Sequence, residues 1–369
     1  MTKLSAVSWP APPYSNRVIE HLANIVAACG FRVSGGYPPR WRTPFTPTAL
    51  YLIHWPELIV NGSRSQAGLW ARIMATLVNL AILRCRGTRV VWIVHNARPH
   101  ELSASRRAAW RFYSAGLSRL VSGWLTLAPS TAPTAMQAFP VLRRKPRAYV
   151  WHPPYNGAEP TCRNRAQEIL SLPNAGLLIG HVGLLRGYKR LDDLVEVFGE
   201  YAGNDVRLVI AGNPLPASYG EHLLRCADAD PRVVIKLGFL NDSSFDLHLA
   251  ALDVFVAPYG DYLHSGALIH ALCRGCVVVA PDSPFARDLR DAVGDAWVVL
   301  YGGSLSATVL DEARERAEAV RGSRPNLDFL SEETNVPRFH AFLSLLGLRA
   351  ADCGPHGVRE GDPRLCEKK

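Results

Sequence analysis

No apolar run in this 369-residue chain reaches membrane-crossing length without interruption. The longest, Ala67 to Leu83, is broken by Arg72 and Asn79 and falls short of the roughly 20 residues a span needs, so no transmembrane helix is expected. The start, MTKLSAVSWP, lacks the long apolar core of a signal peptide. Eight cysteines are scattered with no repeated disulfide or zinc spacing. Cys273 and Cys276 form one C-x-x-C without a second pair, and packed thiols are expected there rather than a metal or redox site. A reduced, cytoplasmic setting follows. Neither a Walker loop nor the G-x-G-x-x-G of dinucleotide sites is found. The basic residues are dispersed without a recognisable nucleic-acid motif, which argues against a nucleic-acid partner.

What is present is enough material for two domains and a net charge of +9, which suits acidic partners such as nucleotide phosphates or anionic lipid headgroups. Short apolar strands alternate with helical patterns, which specifies doubly wound α/β architecture. Within it, Pro258 to Pro281 (PYGDYLHSGALIHALCRGCVVVAP) is the most informative stretch. The apolar run Asp253 to Ala257 ends at Pro258 and Gly260, a helix begins near Ser265 and Gly266, Gly275 closes it, and Val277 to Ala280 is the next strand. That places a helix N-terminus at the carboxyl edge of a parallel sheet, where backbone N–H groups and the macrodipole attract anions. An ordinary βαβ crossover in which Ser-Gly merely caps a helix fits the same residues.

A second phosphate-like loop follows the strand Gly176 to Val182, reading GLLRGYKR from Gly183 to Arg190. Its glycines let the backbone approach a ligand, while Arg186 and Lys189 can neutralise diphosphate oxygens. The strand Ala49 to Ile53 runs into His54-Trp55-Pro56-Glu57, and the strand Val90 to Val94 into His95-Asn96, with Pro99-His100-Glu101 behind it. Polar groups at a sheet's carboxyl edge can bind hydroxyls or supply a general base, although structural roles fit the same residues. Ser105 to Leu120 interleaves Arg106, Arg107, Arg111 and Arg119 with Trp110, Phe112 and Tyr113, a pattern suited to an anionic membrane surface and equally to a solvated amphipathic helix.

These strings resemble GT-B glycosyltransferases, and most closely the bacterial exopolysaccharide branch of xanthan-type GDP-mannose:glycolipid β-mannosyltransferases. Pro258, Tyr259, Leu263, Ser265 and Gly266 match that branch's donor-helix pattern, with His264 where the pattern has Asn. HWPE, VHN-x-x-PHE, the Pro13-Tyr14-Ser15-Asn16 loop and His152-Pro153 with Tyr155 resemble its N-terminal elements. The resemblance implies two Rossmann-like domains around a cleft: an acceptor-binding domain over residues 1–155, a linker over 156–175, a nucleotide-sugar domain over 176–335, a helix crossing back over 336–350 and a disordered tail over 351–369. It implies donor contacts from Gly183, Arg186, Lys189, Gly212, Phe239, Tyr259, His264, Ser265 and Gly266. Acceptor contacts are implied from Tyr14, Asn16, His54, Trp55, Asn96 and His152. Glu57, His95 and Glu101 are the candidates for the catalytic base, in that order of choice for the first two. The paired glutamates of the larger retaining family align with Tyr262 and His270, neither acidic, so an inverting displacement is expected. The donor is a substrate, with no cofactor or metal required because the cationic groups can do what Mg²⁺ does elsewhere. The expected partners are a nucleotide sugar, best GDP-mannose, a lipid-linked glycan acceptor and the inner membrane surface. A UDP-sugar donor such as UDP-glucuronate, a non-catalytic GT-B binding protein and a GT-B epimerase are the alternatives.

Overall fold

A computed structural model describes residues 4–10, 16–36, 48–61, 65–99, 102–155, 161–173, 175–201, 203, 205–259 and 262–348. Tyr14, Glu101 and the tail from 351 lie outside them.

The first half runs β1 (Leu4–Trp9), α1 (Arg17–Ala28), β2 (Phe31–Gly35), β3 (Leu50–Ile53), α2 (Glu57–Asn61), α3 (Gln66–Cys85), β4 (Arg89–Ile93), α4 (Ala104–Leu120), β5 (Gly123–Thr126), α5 (Ala132–Ala138) and β6 (Arg147–Tyr149). The second runs α6 (Arg163–Ile169), β7 (Leu177–Val182), α7 (Leu191–Glu200), β8 (Val206–Gly212), α8 (Ala217–Ala227), β9 (Val233–Leu237), α9 (Asp242–Ala251), β10 (Val254–Val256), α10 (Gly266–Cys273), β11 (Val277–Pro281), α11 (Pro284–Val293), β12 (Val298–Tyr301) and α12 (Ala307–Ala319), and α13 (Glu332–Leu345) ends it.

The strands form two six-stranded sheets, ordered β2-β1-β3-β4-β5-β6 and β12-β11-β10-β7-β8-β9. Every described pairing is parallel. Central strands such as β3 (LYLI) and β7 (LLIGHV) are buried along their whole length, as helices on both faces of a parallel sheet require. The architecture is therefore the expected GT-B pair of doubly wound sheets. Helix starts follow local chemistry: Asn16 caps α1 through Val18 N–H, Ser65 caps α3 through Gly68 N–H, and Ser331 caps α13 through Thr334 N–H.

α13 crosses to the first sheet. It packs on α1 and β6, burying Phe339, Phe342 and Leu343 beside Val18, Leu22 and Ile93, each side chain contributing about 1.5–3 kcal/mol. Fully buried Asn335 accepts from Trp151 N–H at 2.9 Å, and Arg89 Nε donates to the Leu346 carbonyl at 2.7 Å. The helix begins five residues before Pro337, which lies inside it.

Three readings of the sequence differ from the structure. The segment read as a linker contains α6, which packs against α9. It is tied to the second sheet by Gln167 Nε2 donating to the Ala251 carbonyl and by the Arg163–Asp253 ion pair at 2.6 Å. The apolar segment around Ala67–Leu83 extends to a 20-residue helix, α3, long and apolar enough to cross a membrane (mean hydropathy 1.3). It is a domain helix all the same: Leu69, Ile73, Leu80 and Leu83 join the first sheet's core, whereas Trp70, Met74 and Val78 line an exposed face. The edge strand β2 is not among the strands read from the sequence: its alternation, Phe31-Arg32-Val33-Ser34, is only four residues long, and of these only Phe31 is buried.

Candidate functional site

Counted from β7, the second sheet has the order 3-2-1-4-5-6, so its topological switch point lies between β7 and β10. Ligands of open α/β sheets bind outside the carboxyl ends of the strands at such a point. The Gly183–Arg190 loop leaves β7 there, and the chain after β10 leads to α10. The loop sits tight against the next crossover: Gly183 has φ +140° and Gly212 φ +150°, and a Cβ on Gly212 would stand 1.7 Å from the Gly183 carbonyl oxygen. Only glycine fits this close approach.

Lys189 is buried, with Nζ 3.3 Å from His181 Nε2 and 5.4 Å from the centre of the Tyr259 ring. Burial, with Arg186 nearby, pulls its amine down to about 8. Burial and Lys189 in turn keep His181 neutral, and its Nδ1–H donates to the Val256 carbonyl at 2.8 Å. Ser265 caps α10, its Oγ 3.4 Å from Leu268 N and 2.9 Å from the Tyr259 hydroxyl. Gly266 faces His152 and Tyr155 so closely that a Cβ would stand 2.5 Å from the Tyr155 hydroxyl.

These groups border a cavity of about 450 Å³ between the halves. The second half contributes Gly183, Tyr188 and Lys189 from the β7 loop, Asp242 and Phe245 from α9, and Gly266, Ala267 and His270 from α10. The first half contributes Asn16 and Arg17 at the start of α1, with Tyr155. Tyr155 stacks on His270 (4.3 Å, 9°), which stacks on Phe245 (5.0 Å, 19°), and Arg17 lies 5.6 Å over the Tyr155 ring. His270 Nε2 also makes a short hydrogen bond to Asp246, which pairs with Arg274 at 2.5 Å. Burial lowers the His270 pKa against the pull of Asp246. A lysine, an arginine and a helix N-terminus around one cavity suit a diphosphate.

At the carboxyl ends of β3 and β4, His54 is fully buried, with Nδ1 3.0 Å from His95 Nε2. Burial holds His54 down to about 3, and His95 well below its ordinary value. Trp55 stacks on His95 (4.2 Å) with φ at +39°, a backbone conformation that costs a bulky residue energy. Glu57 opens α2 and accepts from Asn96 Nδ2 at 3.0 Å. Its carboxyl is raised by burial, against the opposing pull of its own amide and Asn96.

His264 turns to the first half rather than to the cavity. Its Nε2 accepts from Leu127 N–H at 3.0 Å and lies 3.0 Å from Thr131 Oγ1, and its Nδ1 is 3.4 Å from the His95 carbonyl. Asp288 accepts from Ser130 N–H at 2.7 Å on the same loop. Asn16 lines the cavity while capping α1, and His152 is buried beside Gly266. Phe239 is 81% exposed and outside the cavity lining. Tyr262 accepts from Ser283 Oγ at 3.1 Å. An Asp-x-Asp triplet, Asp228-Ala229-Asp230, follows α8, but Asp230 is bound by Arg232 at 2.7 Å. Sequence reasoning passed over Arg17, Asp242 and His181. A basic residue directly after a helix cap at a sheet's carboxyl edge was the available signal for Arg17.

Residues 176–315 match the family model described as glycosyl transferases group 1. The chain is 29% identical over 277 residues, 74% of its length and 73% of the relative's, to a GDP-mannose:glycolipid 4-beta-D-mannosyltransferase of Xanthomonas campestris pv. campestris. It is 30% identical over 198 residues to a GDP-mannose-dependent alpha-mannosyltransferase of Mycobacterium tuberculosis, covering 52% of this chain and 47% of that one. Among solved structures, HepE of Anabaena in complex with UDP and glucose superposes with a TM-score of 0.58 at 12% identity over 94% of this chain and 98% of its own, a likeness of fold.

Proposed function

Because the chain is a glycosyltransferase of the GT-B fold, similar to mannosyltransferases, we propose that it moves mannose from GDP-mannose to a glycolipid with inversion at the anomeric carbon. The observation that carries this reading is the similarity to the Xanthomonas glycolipid mannosyltransferase along three quarters of both chains, joined to a cationic cavity at the second sheet's switch point. In this reading the diphosphate lies against Lys189, Arg17 and the first turn of α10. Their fixed charges and dipoles stabilise the GDP leaving group as its charge develops. These residues do the work of a metal, so none is needed.

Inversion needs one base on the acceptor side and no carboxylate beside the donor sugar. Tyr262 and His270 are compatible with that, since the former is held by Ser283 and the latter by the Tyr155–Phe245 stack. We assign the base to His95. What supports it over Glu57 is position: the His95 carbonyl touches His264, the residue before the cap of α10, while Glu57 faces Asn96. In the tautomer in which His95 Nε2–H donates to His54 Nδ1, His95 Nδ1 is the basic nitrogen. It takes the acceptor hydroxyl proton as the new C1–O bond forms and the bond to GDP breaks. Burial keeps the ring neutral before that step, and the arriving anionic donor raises its proton affinity.

The exposed face of α3 and α4, with Trp70, Met74, Val78 and Phe112, supports membrane contact. Trp70 and Phe112 meet edge to face at 5.4 Å, and the arginines of α4 supply attraction to an anionic cytoplasmic leaflet.

The test is turnover of a donor panel with a glycolipid extract as acceptor. GDP-mannose should be consumed in an acceptor-dependent manner. Preferred use of a UDP-sugar would overturn the donor assignment, and no turnover of any donor would leave a binding protein. His95→Asn should lose about 10²-fold or more in kcat. If Glu57→Gln loses more kcat than His95→Asn, the base is Glu57.

A further inference from the structure

We propose that His181 is a positioning residue for the donor: without touching the diphosphate itself, it holds the Lys189 ammonium in place at the edge of the donor cavity. The inference deepens the reading of that cavity as the diphosphate site and rests on it. His181 is the last but one residue of β7, a central strand buried along its whole length, where a parallel sheet ordinarily carries an apolar run. An imidazole is out of place there unless both ring nitrogens find partners, because an unpaired buried polar atom is costly. Both do. β10 pairs with β7 through Val254–Ile179 and Phe255–Gly180, and one residue further on His181 Nδ1 reaches the Val256 carbonyl at 2.8 Å. A carbonyl can only accept, so Nδ1 carries the hydrogen, and in the neutral ring Nε2 keeps its lone pair. That lone pair faces Lys189 Nζ at 3.3 Å. The ring is fixed between Phe255, with centres 5.0 Å apart, and an edge-on Tyr259 at 6.0 Å.

An apolar side chain would fill the same space with no polar atom to satisfy, so packing alone does not call for histidine. What histidine adds is an acceptor without charge. A carboxylate in its place would hold the lysine and cancel the charge that a diphosphate needs, whereas a neutral imidazole holds the ammonium and leaves its charge whole. Tyr259 does the same from a second side, with its ring centre 5.4 Å from Nζ. The Tyr259 hydroxyl in turn meets Ser265, the cap of α10, which ties the ammonium to the helix N-terminus that borders the cavity. His181 is fully buried and does not line the cavity, while Lys189 does, so His181 acts on the donor through the lysine. The other charged or titratable groups around the pair are Arg186 on the same loop, and Tyr188, Asp242 of α9, His270 of α10 and Arg17 of α1, which share the cavity with Lys189. Loss of the Nε2 lone pair removes a contact that favours the charged lysine, so Lys189 then gives up its proton at lower pH.

GDP is titrated calorimetrically into the full chain between pH 7 and pH 9. His181→Leu and His181→Phe keep an apolar filling but no acceptor, and His181→Gln keeps an acceptor at the reach of Nε2. With the lysine titration displaced by about one pH unit, the loss of affinity in the Leu and Phe variants should grow from about twofold at pH 7 to about ninefold at pH 9. His181→Gln should stay within about twofold of wild type throughout. A loss that is the same at every pH, which a merely structural role would give, overturns the proposal. So does the absence of any loss, or a Gln variant that behaves as the Leu variant does. If the Leu and Phe variants do not fold, the wild-type ring decides. Its Nε2 nitrogen-15 resonance, identified by its absence in His181→Gln, should shift with a midpoint near pH 8 and cease to shift there in Lys189→Met; a wild-type resonance indifferent to pH in that range overturns the proposal. No GDP binding by the wild type, or binding indifferent to Lys189→Met, ends the donor reading and this proposal together, whereas the other adverse outcomes end the proposal alone.

Discussion

Lys189 gives the proposed donor site a pH limit. Burial and the nearby Arg186 lower its amine to about 8 in the empty protein, whereas an ordinary lysine titrates near 10.4. A bound diphosphate favours the charged form, so the protonated protein is the one that binds. Affinity is therefore nearly complete by pH 7, and is lost as pH rises through 8. For a pKa of 8 the fraction of protein able to bind falls about elevenfold per the titration factor at pH 9, against about 1.1-fold at pH 7, a net loss of about tenfold or ~1.4 kcal/mol. The nucleotide's own terminal phosphate, with a second pKa near 6, is already ionised over this range. Isothermal titration of GDP between pH 7 and 9 measures the loss. Lys189→Met should bind about 1.5–3 kcal/mol more weakly and show no slope. A flat wild-type curve, or a slope that survives in Lys189→Met, would refute the assignment of the diphosphate to Lys189.

Gly212→Ala should displace the Gly183 loop, since its Cβ would overlap the Gly183 carbonyl, and GDP affinity should fall more than about tenfold; calorimetry checks it. Asp253→Ala should destabilise the fold by about 3 kcal/mol, because Arg163 and the Leu178 N–H both lose their partner; a loss under about 1 kcal/mol by urea denaturation would contradict that. Binding to anionic vesicles should fall with added salt as the Debye length shortens and be lost in Trp70→Glu/Phe112→Glu, as followed by co-sedimentation. Replacing only the α4 arginines should weaken that binding by about 1 kcal/mol for each charge removed.

The second half was legible because its signals are local. Ser265 caps a helix and Gly275, with φ +80°, ends it, and both signatures can be read without knowing what packs nearby. Gly183 and Lys189 were readable as a loop after a buried strand. Less legible were features decided by packing between the halves. His264 occupies a position that resembles a donor contact, yet the Leu127 N–H and the Thr131 hydroxyl capture its ring. Arg17 belongs to the first helix of the other half and meets the cavity only because the sheets' carboxyl edges face each other. The 156–175 segment reads as polar and proline-containing, but Arg163 finds Asp253 ninety residues on, a pairing with no trace in local pattern.

The most direct test of the central claim is the anomeric configuration of the product. GDP-mannose, an α-linked donor, is incubated with the protein and a glycolipid acceptor, and NMR of the purified product reads the one-bond carbon–proton coupling at the new mannosyl C1. The account predicts a β-mannoside that forms only with acceptor present and at a greatly reduced rate in His95→Asn. An α-mannoside would contradict inversion, and with it the assignment of an acceptor-side base.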